Sequence, residues 1–291
     1  MNEGLRELLE SDDAETIHQG VELALALDDG AEVIAALDVL EGRELPTYDW
    51  AKYELLGRGV DRWPELRARA GTITHAQWWG APRDADIAVL LQLPSLRYVM
   101  VSRSARNLHR LAELPRLHTL ELFGVVLEAS MLEQLRAHPT LHSLFLNEVE
   151  LKSLDPLRGA SLGAFRFVAR GQVDLSAVRE IAVREELDLN VLGGSTAGLG
   201  ELNTSKIALR YMAWESPVAM PRAVDVALDE VSGSLDGLAE CLPVVERLLL
   251  DMCPDAQVIA GFETHPTLRT LEIRRMRAQV DVGPHVEVKR Y

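Results

Sequence analysis

The stretches LPSLRYVMV (residues 93–101), LPRLHTLEL (114–122), HPTLHSLFL (138–146) and HPTLRTLEI (265–273) decide the fold. Each passes from a proline into an apolar residue that is followed at +3 and +5 by two more. Residues two apart point to the same side of an extended strand, so the +3/+5 pair marks a short strand with one buried face. The proline stops a helical segment and presets an extended entry. Working outward, the triplet reads ten times: Ile73, Ala76, Trp78; Leu96, Val99, Val101; Leu117, Leu120, Leu122; Leu141, Leu144, Leu146; Leu162, Phe165, Phe167; Val178, Ile181, Val183; Thr204, Ile207, Leu209; Ala223, Val226, Leu228; Val245, Leu248, Leu250; and Leu268, Leu271, Ile273. The starts are separated by 23, 21, 24, 21, 16, 26, 19, 22 and 23 residues, so the middle is irregular. One such turn cannot bury its own apolar face. Stacked turns bury a continuous core, with neighbouring strands in a parallel ladder about 4.8 Å apart. Asp86 to Leu93, Met131 to Ala137 and Leu235 to Leu242 have helical apolar spacing and are expected as return segments.

Composition agrees with one elongated architecture. The 291 residues contain 47% hydrophobic but only 5% aromatic side chains, which calls for a core of stacked aliphatics. A formal charge of -15 argues against a general nucleic-acid or anionic-membrane binder, because phosphate surfaces attract positive ones. Met1 is followed by Asn2, Glu3 and Gly4 without a basic start and apolar run, and no segment approaches 18 uninterrupted apolar residues, so a cytoplasmic protein is expected. Cys241 and Cys253 are too few for a disulfide framework or a zinc module and read as reduced, structural side chains.

The triplets resemble the loosely patterned bacterial leucine-rich-repeat proteins over roughly residues 70 to 275. The resemblance implies an α/β fold, a curved solenoid with a parallel β-ladder and a helical or irregular convex side, that binds a partner protein on its concave strand face. The chain departs from the family three residues after each triplet. There the family often has Asn, and here Ser104, Val125, Val149, Met212, Val231, Cys253 and Met276 stand instead.

Residues 1–70 follow a helical rule, with Leu5, Leu8 and Leu9, then Ile17, Val21, Leu25 and Leu27, then Val33, Ile34, Leu37 and Leu40. Asp12 with Glu15 reads as a capping box, and Asp28-Asp29-Gly30 as the turn ending that helix. The resulting hairpin is weakly similar to a HEAT-type helical pair. An open solenoid needs an end cap, so residues 1–70 are expected to cap a solenoid of about ten turns over 71–291. Trp50, Tyr53, Trp63, Trp78 and Trp79 are expected at the junction.

If the triplets point inward, the residues between and after them face outward. Early turns contribute Trp79, Tyr98, Met100, Phe123 and Phe145, residue types enriched at binding hot spots. Later turns contribute Arg166, Arg179, Arg184, Lys206, Arg210, Arg247, Arg269 and Arg274, and with Arg103 they give this face a positive excess. That excess favours a partner with an acidic patch. The competing reading pairs these cations with Glu180, Asp225, Asp229, Glu246, Asp251 and Glu272 along the ladder.

Catalytic signals are weak. Cys253-Pro254-Asp255 is superficially similar to the Cys-x-Asp of bacterial leucine-rich-repeat ubiquitin ligases, but in that family it sits in a separate helical domain. His118 and His142 share a strand position and lack a third metal ligand, and Gly193-Gly194-Ser195-Thr196 lacks the Gly-Lys-Ser/Thr ending of a phosphate loop. The reading is therefore a non-enzyme without cofactor or metal, a protein-binding adaptor, regulator or inhibitor. The alternatives are self-association through the poorly patterned edge after Ile273, and an enzyme whose site escapes motif reading.

Overall fold

The computed structural model describes every residue except 44–47, 83–84, 103–104 and 172, so the readings of Arg103 and Ser104 lie outside the described residues. The described residues form an α/β fold with N-terminal helices and a parallel sheet of eleven strands. It divides into two compact units, Met1–Met131 with His138–Leu141, and Leu132–Ala137 with His142–Tyr291.

The first unit opens with five helices, α1 (Glu3–Glu10), α2 (Ala14–Ala26), α3 (Gly30–Glu41), α4 (Asp49–Gly59) and α5 (Pro64–Ala70). Leu5, Leu9, Ile17, Val21, Val33, Leu37 and Leu40 are buried, as their spacing predicts, but the helices outnumber the expected pair. The cap of α2 is Asp13 rather than Asp12, with Asp13 accepting the Thr16 N–H at 2.8 Å. Asp28 and Asp29 lie in the turn that follows α2, as read, but Gly30 already opens α3, which Asp29 caps by accepting the Ala31 N–H at 2.9 Å. Helix α4 meets β1 (His75–Trp78), which pairs with β2 (Tyr98–Ser102) and through it β3 (Thr119–Phe123), with His75 beside Tyr98 and Tyr98 beside Thr119. The Tyr53 hydroxyl of α4 donates to the His75 carbonyl, and Gly57 of α4 lies so close to the Val89 carbonyl that any Cβ would sit 2.4 Å from it. Trp50, Tyr53, Trp63 and Trp78 are buried, whereas Trp79 is exposed.

The second unit carries β4 (Ser143–Asn147), β5 (Ser161–Arg170), β6 (Ala182–Ser195), β7 (Lys206–Ala213), β8 (Asp225–Asp229), β9 (Arg247–Asp251), β10 (Val258–Phe262), β11 (Thr270–Arg274), β12 (Gln279–Val282) and β13 (Glu287–Arg290). All but β10 and β12 form one parallel ladder in chain order, and those two pair with each other. The return segments are tighter than their spacing predicts. Among the described residues of the returns, α6 (Ala129–Arg136) alone is an extended α-helix; Ile87–Gln92 is 3₁₀, and α7 (Leu238–Cys241) is a single turn.

Nine of the ten triplets supply the strands as read, with Ile73 only half-buried. The sixth is a correction. In register, Leu187 and Leu189 stand beside Phe165 and Phe167, and Val183 stands beside Leu162. The inward set is therefore Val183, Leu187 and Leu189, while Val178 lies in the 3₁₀ return Ser176–Glu180. A bulge adds one residue between Val183 and Glu186 relative to Leu162 and Ala164, and this hid the triplet from a fixed +3/+5 rule. With Val183 as the start, the spacings of 16 and 26 become 21 and 21. An eleventh strand, β13, pairs with β11 beyond the last triplet.

After seven of the triplets the residue two places on lies in the left-handed region, whereas Ala169 and Val191 at that place continue the longer strands β5 and β6. Gly80, Gly124, Glu148, Tyr211, Glu230, Met252 and Arg275 have φ between 47° and 70°. This corner turns the chain out of the strand, and its N–H continues the ladder: Glu148 donates to Val168, Glu230 to Asp251 and Met252 to Arg274. The next position carries buried Val125, Val149, Met212, Val231 and Cys253, an apolar row in place of an Asn ladder. Polar closure comes from hydroxyls instead. Thr140 donates to the Leu117 carbonyl, Thr204 to Val183 and Thr267 to Val245, each at 2.8 Å. In the same loops the ring nitrogens His138 Nε2 and His265 Nε2 lie 2.9 and 2.8 Å from the Leu114 and Leu242 carbonyls.

Candidate protein-binding face

In the first unit the outward positions gather around an aromatic pair. Trp79 is 41% exposed, and its ring meets Phe123 edge-on at 5.9 Å. Trp79 follows β1 and Phe123 ends β3; Ser102 on the intervening strand is small and buried, which leaves room for the rings to meet. Met100, half-buried, stands in register between Gln77 and Glu121. Tyr98 is a fixed support rather than a free anchor. Its hydroxyl donates to Glu121 at 2.8 Å, and burial together with that carboxylate pushes the phenol above its ordinary range.

In the second unit the aromatic side chain is Phe145, whose ring lies 5.2 Å from the Arg166 guanidinium on the adjacent strand. Arg166 Nε and Arg210 Nη1 both donate to one oxygen of Asp188, at 3.1 and 3.0 Å. Asp188 is 3% exposed, and its second oxygen is buried without a hydrogen bond. A buried carboxylate thus fixes two half-exposed arginines side by side. Asp229 and Asp251 are register partners with opposite tendencies. Burial and the Asp251 charge push the Asp229 carboxyl up, while the two-pronged Arg275 hydrogen bond holds Asp251 down.

Other cations are committed along the ladder, as the competing reading had it. Arg247 lies 3.4 Å from Asp225, and Arg274 lies 2.8 Å from Glu272 and over the Tyr291 ring. Arg179 stands 3.8 Å from Glu180, which Arg158 also engages. Lys206 and Arg269 are exposed without an ion pair among the described residues; Lys206 stands in register between Glu186 and Asp225. The corrected sixth turn moves Arg184 to the strand entry and removes Arg179 from the face, bringing in Glu185, Glu186 and Asp188. The expected positive excess disappears with that exchange.

The groups with nucleophilic or ligand character are mostly used structurally. Burial pushes the Cys253 thiol up to about 11, the opposite of an activated thiolate. Thr196 is buried, donates to the Ser216 carbonyl and accepts the Glu215 N–H, and Ser195 donates to the Glu215 carboxylate. His142 lies 3.3 Å from Glu185, with its ring across Gly163. The sequence reading missed a cluster of His18, Glu22 and Glu54, whose ligand atoms lie within 4.8 Å of one another. The i,i+4 pair His18/Glu22 was its only signal. Arg58 pairs with both carboxylates there and supplies the positive charge a cation would.

No helix among the described residues is long and apolar enough to cross a membrane. No protein-family model matches the chain, and no curated protein matches it in sequence.

Proposed function

We propose that the chain is a cytoplasmic bacterial protein of the leucine-rich-repeat type, with its N-terminal helices as a cap. In this reading it binds another protein on the outward strand face and acts as an adaptor or inhibitor without catalysis. The observation that carries the reading is the exposed Trp79 held against half-buried Phe123 beside Met100. An exposed Trp held in one orientation by a second ring offers a large contact area with little further ordering to lose, the property of binding hot spots. The partner is expected to bring an apolar side chain to this pair. The Arg166/Arg210 pair is a second polar contact point and, with the exposed Lys206 and Arg269, supports an acidic patch on the partner. The test is affinity capture from native extract with wild type and a Trp79→Ala/Phe123→Ala variant of verified fold. A protein retained by wild type and lost from the variant supports the reading; equal retention of every captured protein contradicts it.

A second reading, self-association, is favoured by the outer edge of β13, which has one strand neighbour, with Val288 38% exposed. Glu287, Lys289 and Arg290 place charge along that strand and oppose pairing. Sedimentation equilibrium decides it, because self-association requires a mass that rises with concentration.

A further inference from the structure

We infer that the strand-entry cavity at the sixth and seventh turns is an anion site for the phosphate group of a small phosphorylated molecule, separate from the protein-binding face. The cavity has a volume of about 290 Å³. Its origin lies in the register. β6 starts at Ala182, whereas its pairing with β7 begins only at Glu186 and Lys206. Residues 182–185 therefore lack a β7 neighbour, and the Thr204 and Ser205 hydroxyls satisfy the Val183 and Glu185 carbonyls at 2.8 Å instead. The result is a notch floored by the buried side chains of Val183, Leu187, Leu202 and Thr204.

Charge on the rim is uneven. Glu180 is engaged by Arg158 and Arg179, and Glu201 accepts the Asn203 amide at 2.7 Å. Arg184 and Arg222 also line the cavity, and neither has a hydrogen bond or ion pair among the described residues. In the ladder they flank the seventh turn from either side, because Arg184 follows Val183 on β6 and Arg222 precedes Ala223 before β8. Two strand spacings and a two-residue offset along the strands, together roughly 12 Å, separate their backbone positions, within the reach of two long side chains closing on one group between them. A phosphate, with charge on several tetrahedrally placed oxygens, suits donors arriving from opposite sides. The apolar floor suits a small organic substituent. A chain of net charge -15 repels anions at long range, so two unneutralised guanidiniums over one notch carry this site.

The test is titration of the whole protein with inorganic phosphate and, separately, phenyl phosphate at constant ionic strength, followed through the backbone amide and arginine Nε–H resonances. The expected result is saturable shifts at residues 183–185, 203–204 and 222 with both probes. Arg184→Gln/Arg222→Gln should weaken binding by about tenfold or more, and Arg116→Gln, an exposed arginine outside both the cavity and the protein-binding face, should leave it unchanged. Tighter binding of phenyl phosphate than of inorganic phosphate assigns the floor to an organic substituent, and equal binding restricts the site to the phosphate group itself. Ala182→Glu, which adds a carboxylate to the exposed rim, should abolish the shifts without touching either arginine. Shifts that stay linear, spread over all exposed arginines, or persist in both rim variants overturn the site. None of these results depends on whether a protein binds at Trp79.

Discussion

At the residue scale the left-handed corner is the most exacting position in the turns that carry it. Two of its occupants, Gly80 and Gly124, take that conformation freely, whereas Glu148, Tyr211, Glu230, Met252 and Arg275 take it against their Cβ. Met252→Gly is expected to raise stability by roughly 0.5–1 kcal/mol, and Gly124→Ala, where space is open but φ is +57°, to lower it by about 1 kcal/mol. Urea unfolding midpoints check both. Asp229 makes a second residue-level prediction. Its carboxyl is pushed above the ordinary 3.8 by burial first and the Asp251 charge second. Ionised Asp229 therefore opposes folding at neutral pH, and the penalty fades as pH falls through the raised folded-state value toward 3.8. Asp229→Asn should raise the thermal midpoint at pH 7 and give a shrinking gain toward pH 3.5, whereas a gain independent of pH would contradict the assignment. The outward residue types were legible in the sequence, but their employment was not. Nothing in the order of residues says that Tyr98 donates to Glu121, or that Arg166 and Arg210 converge on one buried oxygen, because those outcomes depend on side-chain rotamers across neighbouring strands.

At the element scale the strand pattern is legible wherever a turn keeps one residue per ladder position. Leu96, Leu117 and Leu141 announce their strands because proline precedes them closely and Leu or Val fills both following inward places. The sixth turn escapes because the bulge after Val183 shifts its inward pair to Leu187 and Leu189. β13 escapes because half-exposed Val288 and Arg290 occupy its inward register places, beside Leu271 and Ile273. Return segments were overread as helix because apolar spacing over six to eight residues fits 3₁₀ and α geometry alike. The contact of α4 with the first return gives a sharp test. Gly57→Ala forces a Cβ against the Val89 carbonyl, a backbone atom that cannot rotate away, and should destabilise by about 1–3 kcal/mol. Denaturant unfolding measures it, and a neutral result would contradict the close docking of α4.

At the scale of the whole molecule, the proposed function rests on side chains that the scaffold holds outward rather than on any motif. Strand, corner and return recur with small variations. What differs from turn to turn is the outward set: an exposed Trp against a half-buried Phe in the first unit, and in the second a Phe–Arg–Asp–Arg row and a cavity with two unneutralised arginines. Recognition of a protein at Trp79 and Phe123 is the central claim, and site-specific photo-crosslinking in native extract tests it most directly. A photoreactive residue replaces, one at a time, Trp79, Met100 or Phe123 on the strand face, or Val126, which is 67% exposed in the loop after β3. The account predicts one discrete protein adduct from the three face positions and none from Val126. No adduct from the face, or equal adducts from Val126, would contradict it.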